Sequence, residues 1–546
     1  MYFDLLCSLY LGKSTNADLS TKDVRRQLHI TTALDAFIPL QLAAKKDIIL
    51  TGNPGDGKSH LVRLLQDTQK LPADVLVEPD LSASAPQDVI ARWMSARSSR
   101  RPFLMCANEG PLRELLPLLS ATPALKDAAR ALQTQLGRLC GLPQQLVESP
   151  SEHLVLIDLA DRSLLAPAMI EKAIQLVTQP DFAPQGNYVE SDCAPARNIS
   201  LLSGWPVIRS NLALILSSAG QRSGGHVTFR SLWATIALAI TGGVGPAQAL
   251  RRWEPESMPL DLVVQGGSQL ALADAVRRFA DPAAVPMPEL DYALWLKGKP
   301  MEGDWYFATD KQQPILLPAQ SPAYLHRGGA TEAALLRFAS LKRLVALAHP
   351  AGKCLLEALQ QQQALPSQQS DEALLEVCLQ GIRRCFVSAA HERGLPAWMQ
   401  EGLPLWVNLT YQDVPTQERP HVAVASAPAE AFRIVRPARV PWLQQALGDL
   451  PELAWLCHVP SGTHLRLDPP LLAMLRGARA SAGPVPTPQA LSRFLSRLSS
   501  WEERQAAQKL QTAQQDHIAV LGRPRGNVLV TGGVAFDSRG AYYVEP

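Results

Sequence analysis

The residues with the clearest chemistry are Gly52-Asn53-Pro54-Gly55-Asp56-Gly57-Lys58-Ser59, which satisfy the pattern GxxxxGK[ST] at every defined position. Glycines in such a run let backbone N–H groups turn inward around phosphate oxygens, and a helix beginning at its end adds the positive end of its dipole. In that chemistry Lys58 neutralises charge on the β- and γ-phosphates and Ser59 is a Mg²⁺ ligand. Gly52, Asn53, Pro54, Gly55, Asp56 and Gly57 form the cradle, and His60 follows directly as part of the same phosphate-binding set.

Hydrolysis would require two further groups, one beside Mg²⁺ and one to orient the attacking water. Two strand ends offer them. RPFLMCANEG ends in Asn108-Glu109, and HLVLIDLAD contains Asp158, with Asp161 one turn on. In one assignment Glu109 polarises water, Asn108 stands where an Asp is commoner, and Asp158 lies beside the loop near the γ-phosphate. In the other, Asp158 is the Mg²⁺ carboxylate and Asn108 the γ-phosphate sensor. In a third, either acid is only a helix cap or strand-end residue. Without an Asp-Glu pair, rapid turnover is not expected. Arg230, in GGHVTFRSLW, could reach back to the γ-phosphate from the start of a lid helix, or be a surface arginine. Arg162 and Arg197 are candidates for a finger acting in trans between subunits.

These residues need elements to position them. DIILTG (47–52) reads as a buried strand running into the glycine-rich turn, with HLVRLLQDTQK as the helix after it. DVLVEPDLS (74–82), RPFLMCANEG (101–110) and HLVLIDLADRS (153–163) read as further strands, with helices between them. Such alternation predicts an α/β fold: a P-loop parallel sheet with helices on both faces. Residues 164–225 resist assignment, from a Pro- and Cys-containing insert near 179–197 to the apolar run NLALILSSAG. From 226 to about 400 the pattern is helical. After 402, LWVNLTYQ, HVAVASA, AFRIVRP, ELAWLCHVP, THLRLDP, NVLVTGG and AYYVEP read as strands, interrupted by one long polar helix at about 487–516. The expected organisation is 1–225 as N-terminal helices and core, 226–400 as a helical lid and extension, and 401–546 as a β-rich α+β domain.

Composition narrows the classes. At roughly 150 residues per domain, 546 residues suggest about three to four domains. Charged residues at 19% and hydrophobic residues at 47% are those of a globular chain. Lys+Arg 52 against Asp+Glu 50 excludes a strongly basic nucleic-acid coat but permits a local basic groove. Residues 402–546 hold 14 Lys+Arg and 11 Asp+Glu, too mild an excess to require DNA. The pairs Arg251-Arg252, Arg277-Arg278, Lys342-Arg343 and Arg383-Arg384, and Arg433, Arg436 and Arg439, are expected on solvated faces and in surface ion pairs. The 8 cysteines form no CxxC pair or zinc spacing and read as buried thiols in a reducing compartment. His226, His458 and His464 are expected to be structural. The N-terminus lacks the basic region of a signal peptide and no apolar run is long enough to span a bilayer, so a cytoplasmic location is expected.

The blocks GNPGDGKSHL, ANEGPLREL and HVTFRSLWATIALAITGG together resemble AAA+ type P-loop ATPases. More narrowly, they resemble ATPase subunits of bacterial anti-phage defence systems of the DNA phosphorothioation-dependent restriction kind. FADPAAVPMPELD (279–291) and LLRFASLKRLVAL (335–347) are similar to the same group. The resemblance covers about residues 30–350. It implies ATP and Mg²⁺ as cofactors, nucleotide lying between subunits of a homo-oligomer, and service as motor or switch in an antiviral complex acting on foreign DNA. No PD-(D/E)xK or HNH arrangement is present, so a partner nuclease or DNA-binding protein is implied. Two other classes stay open. One is an ATP-dependent assembly scaffold with little hydrolysis. The other is a small-molecule kinase or GTPase, disfavoured by the lack of an NKxD-type guanine-reading motif.

Overall fold

Strand β1 (Asp47–Thr51) is buried at every position. That explains its unbroken apolar run, since a central parallel strand faces packed helices on both sides. The computed structural model describes residues 2–11, 21–139, 153–179, 194–224, 226–243, 257–266, 270–297, 332–361, 369–386, 403–407, 422–436, 441–448, 454–480, 488–511, 518–522, 530–536 and 542–545. The chain divides into two units, residues 1–363 with 438–451, and residues 364–437 with 452–546. The divisions expected at 225/226 and 400/401 therefore differ from the one found.

In the first unit β1 pairs in parallel with β3 (Phe103–Cys106) on one side and β4 (Leu154–Asp158) on the other, and β2 (Leu76–Glu78) pairs in parallel with β3. The order is β2-β3-β1-β4. The expected parallel sheet with helices on both faces is thus present. On one face Ile48, Leu50, Leu104, Val155 and Ile157 pack against helices α3 (Leu34–Ala43) and α4 (Lys58–Asp67). On the other, Ile49, Phe103, Met105 and Leu154 meet α5 (Pro86–Ser98), α6 (Glu109–Ala121) and α7 (Lys126–Leu139). At the foot of β1, buried Asp47 accepts bonds from Trp93 Nε1 (2.8 Å), Arg97 Nε (3.0 Å) and the Phe103 amide (2.9 Å), fixing α5 to two strands at once.

A helical layer shares a third core with α1 (Tyr2–Tyr10). The segment the sequence left unassigned forms α8 (Pro167–Thr178), α9 (Ala194–Gly204) and α10 (Pro206–Ser223), while residues 180–193 of the expected insert lie outside the described residues. In α10 even Ser217 and Ser218 are buried, so the helix lacks the one-sided apolar stripe by which a surface helix is recognised. Next comes α11 (Phe229–Thr241), capped by the Thr228 side chain, which accepts from the Ser231 amide, and buried from Leu232 to Thr241.

The second unit holds two antiparallel sheets. One has five strands in the order β12-β11-β10-β6-β5, namely β5 (Leu403–Val407), β6 (Val422–Ala427), β10 (Ile518–Gly522), β11 (Val530–Phe536) and β12 (Tyr542–Glu545). The other has three, β7 (Phe432–Val435), β8 (Trp455–His458) and β9 (Thr463–Arg466). Helices Asp371–Phe386, Pro469–Ala480 and Gln489–Gln511 complete it. Among the described residues no single helix is long and apolar enough to cross a membrane. The pair α9 and α10 passes that test only jointly, across a 99° bend.

Candidate functional site

Local chain geometry makes the glycine-rich loop. It leaves β1 at Thr51 and enters α4 at Lys58 without a side-chain cap. The first amides of α4 therefore lack the usual capping oxygen, and residues 57–60 line the cavity described below. Gly55 and Gly57 both have positive φ, at 96° and 87°. A Cβ at Gly55 would come within 3.0 Å of the Arg230 Cβ, and one at Gly57 within 3.2 Å of the Phe229 ring. Both the left-handed backbone and the close approach of residues 228–230 require glycine here.

Lys58 is buried, and its Nζ donates to the carbonyls of Gly52 and Asn53, each at 2.9 Å. Burial lowers its pKa, opposed chiefly by the nearby Asp56 carboxylate. Asp56 looks into the protein. One carboxylate oxygen takes the Asn53 amide (2.6 Å), the other meets His226 Nε2 (2.6 Å), and its backbone carbonyl accepts Arg162 Nη2 (2.8 Å). The Asp56 side chain thus braces the loop from behind. Ser59 Oγ donates to the Pro79 carbonyl at 3.2 Å, which puts this hydroxyl beside the turn after β2.

A cavity of about 290 Å³ opens over the loop. Its polar lining includes Lys58, Ser59, Asp80, Asn108, Arg162 and Arg230. Its apolar lining includes Val24, Leu28 and Ile30, from helix α2 (Lys22–Gln27) and the turn after it. In that turn His29 stacks on His60, also on the wall, with ring centroids 5.7 Å apart, and Asp35 holds His29 Nε2 at 2.6 Å. Burial drives the His60 pKa down to about 4, so that ring is neutral at physiological pH. Arg25 secures α2 to the far end of α4 through Asp67, at 2.7 Å. Cys106, also on the wall, has its thiol pushed up to about 12 by burial and is not a poised nucleophile.

No family model, curated protein or solved structure matches the chain.

The expected site residues separate into two groups. Gly55, Gly57, Pro54, Lys58, Ser59, His60, Asn108 and Arg230 meet on one cavity. Asn108 stands at the N-cap of α6 but makes no capping bond with its side chain. Arg230 sits in the first turn of α11, its amide donating to the Gly55 carbonyl at 3.3 Å. Glu109 and Asp158 are not on the cavity wall. Glu109 pairs with Arg113 on the exposed side of α6, one turn along. Asp158, opposite Thr51 in the β1–β4 register, is buried and accepts the Ala160 amide at 2.9 Å, capping the 3₁₀ turn Leu159–Asp161. Arg197, on α9, is not part of the wall either. Arg162, a candidate for acting in trans, is only 5% exposed and lies on the wall of this cavity.

Two contributors are not evident from the sequence. Asp80 follows a strand of only three residues and is separated from it by a proline. His226, expected to be structural, holds Asp56 behind the loop and does not line the cavity. The α2 turn, with His29, lies upstream of any motif.

Proposed function

We propose that this cavity binds ATP with Mg²⁺, and that the chain is an ATPase subunit serving as motor or switch in a bacterial defence complex directed at foreign DNA. The observation that carries the nucleotide reading is Lys58, a buried ammonium at the start of an uncapped helix, held only by two carbonyls of its own loop. Phosphate oxygens would replace those carbonyls. The glycine-rich turn and the first amides of α4 would surround the phosphates, and the apolar wall of Val24, Leu28 and Ile30 would take the base. The nucleotide supplies a phosphoanhydride bond as the energy source. Ser59 and Asp80, both lining the cavity, would offer a hydrated Mg²⁺ a hydroxyl and a carboxylate, Asn108 lines the same cavity, and Arg230 would join the phosphates to α11.

The defence role, the oligomer and the nuclease or DNA-binding partner come from the sequence resemblance alone. Residues 228–230 lie close against Gly55 and Gly57. Nucleotide-dependent movement of the loop would be felt directly by α11. A second reading, a scaffold that binds ATP and turns it over slowly, is favoured by Glu109, whose carboxylate is committed to Arg113 outside the cavity. ATP turnover by wild type and Lys58→Ala, with and without double-stranded DNA, tests both. Turnover that DNA accelerates and Lys58→Ala abolishes supports the motor. Lys58-dependent binding with no turnover above that of the variant supports the scaffold. Binding unaffected by Lys58→Ala sinks the nucleotide reading itself.

A further inference from the structure

Arg162 ends the 3₁₀ turn that follows β4. Asp158 caps that turn, and the Arg162 amide donates back to the Leu159 carbonyl at 3.1 Å, so the backbone beneath the side chain is fixed. Its guanidinium carries five N–H donors, yet among the described residues it makes a single hydrogen bond, from Nη2 to the Asp56 carbonyl at 2.8 Å. Nε is buried without an acceptor. One face of the group rests on the Phe229 ring, 4.6 Å from its centroid. No carboxylate lies within ion-pairing distance among the described residues. Asp56, the acid whose charge acts on this guanidinium most strongly, has both oxygens occupied by Asn53 and His226. Two other buried arginines are treated differently. Arg25 has Asp67, and Arg343 has both Asp261 and Asp281.

A buried cation without a counter-ion is costly, and a protein keeps one where an anion arrives to repay it. We propose that Arg162 is a phosphate-binding arginine acting in its own subunit, whose unpaired N–H groups receive the phosphate chain of the bound nucleotide. The inference rests on the nucleotide reading above. It adds a ligand-contacting residue from the turn after β4, where the sequence offers Asp158 for the metal or the γ-phosphate and Arg162 only as a finger acting in trans. Burial also pulls the guanidinium's pKa down to about 10, consistent with a charge lacking its partner. Phe229 lies under Arg162 and against Gly57, so closure of Arg162 on phosphate would press on the start of α11 as well.

The test uses full-length Arg162→Met and Arg162→Lys beside Lys58→Ala, with unliganded melting temperature and binding of ATP·Mg²⁺ and adenosine measured for each. Arg162→Met is expected to melt no lower than wild type, because it removes an uncompensated charge and keeps the volume. Its ATP affinity should fall about 10- to 100-fold, the loss of one or two charge-assisted hydrogen bonds, with adenosine binding unchanged. Arg162→Lys should recover part of the ATP affinity. Two results overturn the proposal: ATP affinity within about twofold of wild type, or equal losses for ATP and adenosine, the mark of a merely structural arginine. If ATP binding needs Lys58 but ignores Arg162, only this inference falls. If wild type binds no nucleotide, the reading beneath it falls as well.

Discussion

A metal-activated phosphoryl transfer needs a carboxylate close to the hydroxyl that ligates the metal, and distance along the chain is no guide to which one that is. Glu109 and Asp158 carried the right chemistry on paper, but α6 turns the first toward Arg113 and the strand-end turn spends the second on Ala160. Asp80 makes the same kind of cap as Asp158, through Ser82 to the short turn Leu81–Ala83, but unlike Asp158 it lines the cavity, next to Pro79, whose carbonyl receives Ser59. Asp80→Ala is therefore expected to lower Mg²⁺-dependent ATP turnover about 100-fold, with nucleotide binding in EDTA changed less than about twofold. Glu109→Gln should leave turnover within about twofold, since an exposed i,i+4 pair contributes little. A steady-state assay of both variants decides it, and equal crippling of the two would return Glu109 to the catalytic role first given to it. At this scale the glycine-rich loop was legible because its spacing is local. Asp80 was not, because it comes to Ser59 only through the pairing of β2 with β3.

Whole elements were readable where their burial was one-sided or complete over a short strand, as in β1, β3 and β4, and unreadable where a helix is buried on successive residues, as in α10 over 215–220. The blocks 279–291 and 335–347, which carried part of the family resemblance, are joined physically. Arg343 on helix Glu332–Ala348 reaches Asp281 with Nη2 at 2.7 Å and Asp261 with Nη1 at 2.8 Å, and its neighbour Lys342 pairs with Asp291. These two cations were expected on a solvated face; both are buried, because acids on three separate segments meet them inside the helical layer. Ser340 also donates to Asp261, at 2.7 Å. Burial raises the Asp261 pKa against the pull of Arg343, so that carboxylate depends on its partner to stay ionised. Arg343→Met should then cost about 3–5 kcal/mol, because it strands two buried carboxylates. Converting Asp261 and Asp281 to Asn in the same chain should recover part of the loss. Urea unfolding of the single and triple variants gives the comparison, and a single variant as stable as wild type would show the network to be dispensable.

At the scale of the whole chain, the expected boundary at residue 400 reflected a real change from helical to strand-rich sequence, but local pattern does not reveal that the chain returns. Residues 438–451 belong to the first unit, where Leu443, Ala446 and Leu447 of helix Pro441–Leu447 pack with α3 and the sheet. Each unit also holds one histidine that burial keeps neutral far into acid, His60 in the first and His458 in the second, both with pKa near about 4. His458 lies between Phe432 and Trp501, with ring centroids at 4.9 and 5.1 Å. Ser461 gives its own proton to Thr463, so it accepts from His458 Nδ1, and Nε2 is left buried without a partner. Protonation would place a charge there. As pH falls below about 6.5 the unfolded chain takes up a proton that the folded second unit refuses until about pH 4, so stability is full above that window, declines through it and levels off below. The loss from His458 alone approaches about 3 kcal/mol. His458→Phe, which cannot titrate, should flatten this pH dependence for the second unit and leave that of the first unchanged. Hydrogen exchange at β8 and β9 against β1 and β3, corrected for intrinsic rates between pH 7 and pH 4.5, separates the two units, and an unaltered slope at β8 and β9 in the variant would mean that other groups govern its acid response.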